Sequence, residues 1–80
     1  MKNIIGNQIR AARAYLRMSI KDLAEASGVS VATIQRAEVT DGQPSMTRAN
    51  LAALERALEA AGVEFLPDGG LRPRKPEGGA

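Results

Sequence analysis

Apolar residues recur at helical spacing through the first sixty positions and give way to a denser run near residue 63. Ile9, Ala12 and Leu16 stand at i, i+3 and i+7, lining one face of a helix over about residues 7–17, and Ile5 extends that face. Ser19 suits the start of a second helix, where its hydroxyl can accept from free first-turn amides and Asp22 can reach back as a capping box. Ile20, Leu23 and Ala24 are its inward face, and Gly28 offers the left-handed conformation that stops it. Ser30 opens a third short helix over residues 31–38, with Ile34 and Ala37 facing in. Asp41, Gly42 and Pro44 predict a loop over residues 39–46. Thr47 then caps a longer helix with Leu51, Leu54, Leu58 and Ala61 on one stripe, Glu55, Arg56 and Glu59 outside it, and Gly62 at its end. Residues 63–66 are a short apolar run, Pro67 to Gly70 a turn, and residues 71–74 a second extended piece. That segment reads as a small hairpin or an exchanged strand, because two strands alone have little stability.

The pattern predicts an all-α fold of four to five helices with a short extended or β C-terminal tail. Residues 1–66 form the domain and residues 67–80 a basic Gly/Pro-rich tail, with a dimerising hairpin at 63–74. Composition agrees: one Tyr, one Phe and no Trp leave the core to Leu, Ile, Val, Met and Ala, of which Leu and Ala favour helices. A chain of 80 residues buries a modest share of its surface, so dimerisation would help it.

The chain has no Cys and no His, which removes disulfides, thiol nucleophiles, thiolate or imidazole metal sites and the commonest general base. Ser19, Ser27, Ser30 and Ser45 therefore have no imidazole to activate them, and no acidic pair stands isolated. No catalytic residues, cofactor or metal are expected. Without an apolar run of about 18 residues or a leader-like segment, a cytoplasmic protein with no membrane contact is expected. The net charge of +2 is unevenly spread: residues 1–48 carry seven basic against four acidic side chains, whereas residues 49–68 carry one against four. Such a molecule can meet a polyanion with its basic side.

Two short serine-opened helices joined at a glycine gain meaning from their spacing. Ala24 is small enough for a close helix crossing, Gly28 breaks the chain four residues later, and Leu23, Val29 and Ile34 fill the space between. Ala32, Thr33 and Arg36, edged by Val31 and Gln35, then face outward.

The segment RMSIKDLAEASGVSVATIQRAE resembles the Xre/Cro/C1-type (lambda-repressor-like) helix-turn-helix family through Leu23-Ala24, Gly28-Val29-Ser30 and Ile34 to Glu38. The resemblance spans about residues 5–65. It implies a helical bundle that places its third helix in the major groove of double-stranded DNA, commonly as a homodimer on an inverted repeat. It supports base reading by Val31, Ala32, Thr33, Gln35 and Arg36, with Arg36 the principal base or phosphate contact, and it implies an internal ion pair between Arg13 and Glu38. Where the family usually has a phosphate-touching glutamine, this chain has Ile20, so phosphate anchoring passes to Arg17, Lys21, Ser30, Arg48 or backbone amides. Val31 and Ala32, where polar readers are common, suit contacts with thymine methyl groups.

Alternatives remain at several positions. The outward face of the third helix also suits an ordinary solvated surface. Arg72, Arg74 and Lys75 fit a second DNA contact or a solubilising tail. Val63, Phe65 and Leu66 suit a dimer contact, since little chain is left to cover them, and related small regulators end in a similar extension. The sequence suits a dimeric repressor or activator; the alternative is an antitoxin or anti-activator that works on the same fold mainly by binding a protein partner.

Overall fold

The computed structural model describes residues 4–74. Four helices, α1 (Gly6–Leu16), α2 (Ile20–Ser27), α3 (Val31–Glu38) and α4 (Arg48–Ala61), precede an antiparallel pair of strands, β1 (Val63–Phe65) and β2 (Leu71–Pro73). The expected all-α bundle with a short β tail is thus the observed fold, in its four-helix form.

Three helix starts follow the cap chemistry. Ser19 Oγ accepts from Asp22 N at 2.9 Å and Asp22 Oδ2 accepts from Ser19 N at 3.1 Å, closing the capping box. Ser30 Oγ accepts from Thr33 N at 3.2 Å and Thr47 Oγ1 from Asn50 N at 3.1 Å, each satisfying a first-turn donor. α1 begins without a capping side chain of its own: Ile5 is extended, and its amide donates to Gln8 Oε1 at 3.0 Å. α1 ends at Arg17, which takes the left-handed conformation with φ 58°. There the amides of Arg17 and Met18 reach the carbonyls of Ala14 (3.1 Å) and Arg13 (2.9 Å), capping the helix end.

Ile9, Leu23, Ile34, Leu54, Leu58 and Val63 are the largest fully buried side chains and form the centre of one core. The stripe on α4 is correct through Leu58, but Ala61 is exposed. The chain turns at Gly62, and Val63 rather than Ala61 takes the next inward place. At the opposite end, Gly6 brings α1 against the exit of α3. A Cβ at Gly6 would lie 1.7 Å from the Thr40 carbonyl oxygen and 2.4 Å from that of Ala37, so only a hydrogen fits there.

The C-terminal segment forms a hairpin within the chain, pairing Val63 with Pro73, Glu64 with Arg72 and Phe65 with Leu71. Its turn is closed by Leu66 N to the Gly70 carbonyl at 2.9 Å and by Gly70 N to Asp68 Oδ1 at 2.9 Å. Phe65 and Leu71 pack on the core, and the outward Glu64 carboxylate accepts from Arg72 Nε at 3.0 Å and Nη2 at 3.2 Å. Gln8 ties this hairpin to the helices. Its buried amide donates to the carbonyls of Leu66 (3.3 Å) and Gly70 (2.8 Å) while its oxygen holds the start of α1.

Candidate nucleic-acid interface

The geometry of α3 follows from what it buries. Ile34 and Ala37 enter the core beneath α1 and α2, and Glu38 is drawn inward by Arg13. Leu23 and Val29, also buried, fill the crossing of α2 and α3 as their spacing suggests, with Ala24 half-buried beside them. On the opposite side of α3, Val31, Ala32, Gln35 and Arg36 are exposed. Thr33 is half-buried at the edge, where its Oγ1 lies 2.9 Å from Ser30 Oγ and 3.4 Å from Arg36 Nη2. The five positions expected to read bases thus lie on one helix, four of them uncovered.

Arg13 and Glu38 form the expected pair in two-pronged geometry, with Nε to Oε2 at 2.8 Å and Nη2 to Oε1 at 2.9 Å. The third donor of Arg13, Nη1, reaches the Met18 carbonyl at 3.0 Å. The carboxylate's hydrogen bonds push the guanidinium further above its already high pKa, against the opposing effect of burial. A planar fork on a carboxylate resists rotation, so the pair fixes α3 against α1. Arg10 completes the clasp: it bonds the Glu38 carbonyl and the Asn7 side chain, and its Nη2 lies 3.1 Å from Asp41 Oδ1. Sequence reading missed Arg10. Its position one turn before Arg13 was the available signal.

Of the residues expected to meet phosphates, Arg17, Lys21, Ser30 and Arg48 are all exposed. They come from the end of α1, the first turn of α2, the cap of α3 and the first turn of α4. Ile20 leans onto the core and cannot replace a polar phosphate contact. Val63 requires a correction as a dimer contact: it is fully buried in the chain's own core, so a second subunit could not touch it. Phe65 and Leu66 keep partial exposure. In the basic tail, Arg72 is engaged by Glu64, Arg74 is exposed and Lys75 lies outside the described residues. Among the described residues no helix is long and apolar enough to cross a membrane, and no group of three or more acidic side chains is placed to hold a metal.

Two serine-capped helices crossing at a glycine turn, the second with its outer face bare, define the helix-turn-helix class of DNA-binding regulators. The family model described as helix-turn-helix, of the Xre/Cro/C1 type, matches residues 9–64, and the chain belongs to this family. No curated protein sequence matches the chain as a relative. Family membership makes this a DNA-binding regulatory domain of a kind not typically enzymatic.

Proposed function

We propose that the chain is a sequence-specific transcriptional repressor or activator that binds an inverted repeat as a homodimer. One observation carries this reading: α3 buries Ile34, Ala37 and Glu38 and leaves the opposite face, Val31, Ala32, Gln35 and Arg36, open to solvent. A helix supported in this way can enter the major groove. In this reading Arg36, Gln35 and Thr33 supply hydrogen bonds to base edges, and Val31 and Ala32 meet thymine methyls. Arg17, Lys21, Arg48 and the Ser30 hydroxyl anchor phosphates on either side. Phe65 and Leu66, half-exposed on the hairpin, support a dimer contact there.

Binding-site selection from random DNA tests this directly. An enriched inverted repeat is expected, with sedimentation showing two chains per site. Selection that enriches nothing, together with stoichiometric capture of a protein partner, would transfer the assignment to an antitoxin or anti-activator. A cytoplasmic location, shared with the DNA it binds, goes with this reading.

A further inference from the structure

Val39 stands at the end of α3 with 80% of its surface exposed, the largest value among the big apolar side chains of the described residues. Such exposure near the end of a helix calls for an explanation only when the side chain has company, and here it does. Val39 follows Ala32 by seven residues, just short of two turns, so the two lie about 20° apart around the axis and away from buried Ile34 and Ala37. Gln35 and Arg36 flank that line. Val39 also borders a shallow groove with Ser19 and Ile20 from the start of α2, Gln35 and Glu38 from α3, and Arg10 and Arg13 from α1. It therefore continues the face that carries the expected base readers.

We infer that Val39 is a further specificity-determining residue, contacting the methyl group of a thymine in the major groove. This rests on the DNA-reading face proposed above. Only thymine offers a methyl group on that groove wall, and an exposed, branched apolar side chain has no hydrogen bond to offer any other base edge. Along the axis Val39 is about 10 Å beyond Ala32, at 1.5 Å per residue. With bases about 3.4 Å apart on a strand, its thymine would lie roughly three steps from the base beneath Ala32.

The test uses the DNA site recovered by selection. Each thymine is replaced singly by deoxyuridine, which removes only the methyl, and affinity is measured for the wild-type protein, Val39→Ala and Val39→Thr. At one thymine per half-site, methyl removal should weaken the wild type about fourfold, the value of one methyl-sized apolar contact. Val39→Ala should be insensitive to that same replacement, and Val39→Thr, which keeps one methyl, should fall between. Thermal unfolding should be unchanged in both variants, since the side chain supports nothing inside the fold. Equal deoxyuridine effects in wild type and Val39→Ala at every position, or a selected site without thymine at the required step, would overturn the inference and leave the DNA-reading face intact. Loss of self-association in Val39→Ala with unaltered thymine dependence would also overturn it. Failure to select any site would instead bring down the parent reading.

Discussion

Single residues decide more here than their size suggests. Gly6 is the sharpest case, because the atom an alanine would add meets two backbone carbonyls instead of a side chain that could swing away. Gly6→Ala must push α1 from the end of α3, and an overpacked contact of this kind costs about 1–3 kcal/mol or more. Urea unfolding should show a clearly lower midpoint, while the surface control Ala11→Gly should lose only the smaller helix-propensity cost. Arg36→Ala is the opposite experiment. Among the described residues its side chain makes one hydrogen bond, a long 3.4 Å contact to Thr33, so stability should hold. Affinity for the selected site should fall by about 1–3 kcal/mol, with non-specific binding less affected. Titration of both DNAs at one salt concentration separates these results. Ser19, Gly28, Ser30 and Thr47 were legible in the sequence because their effects are local, each satisfying or freeing backbone within a few positions. Gly6 was not, since what excludes a side chain there is chain more than thirty residues away.

At the scale of elements, the hairpin depends on a residue outside it. Gln8 uses both ends of its amide, donating to two turn carbonyls and accepting from Ile5. Gln8→Ala should cost about 1–3 kcal/mol, the penalty for leaving buried partners unmade, and should raise amide exchange at Leu66 and Gly69 before the helices respond. A polar residue on an apolar helix face gives no hint of partners some sixty positions onward, so this tie was invisible in the sequence. The hairpin itself was legible from its apolar run and Pro-Asp-Gly-Gly turn, although whether it closed within one chain was not. On its outer surface, Arg72 lowers the pKa of Glu64, through a hydrogen bond first and its charge second. Because the folded value is depressed, this contribution is complete above the ordinary glutamate range, about pH 4.3, and is lost as pH falls through the folded value. Burial, helped by Glu59, raises the Glu55 value, so Glu55 acts in the opposite sense and favours the folded state at lower pH. Glu64→Gln should flatten the acid-side loss of stability and Glu55→Gln should steepen it. Chemical denaturation at a series of acidic pH values reads both.

For the molecule as a whole, the division of labour is a rigid clasp behind a bare face. Arg10 and Arg13 hold the end of α3 from α1, the core holds its inner side, and Val31, Ala32, Gln35 and Arg36 on its outer side stay exposed. This explains why the outward residues could be assigned from sequence: a helix with a known inside has a known outside. Distances across the surface remained illegible, since they depend on how α1 and α4 dock and no periodicity encodes that. Arg17 joins the two halves of this arrangement. It holds a left-handed backbone where a residue with a Cβ pays about 1–2 kcal/mol, at a position where glycine would sit without strain. Arg17→Gly should therefore melt at a higher temperature and yet show a salt slope for DNA shallower by about one phosphate contact. A gain in robustness coupled to a weaker grip would mark Arg17 as a compromise, a site where a more comfortable chain makes a poorer regulator.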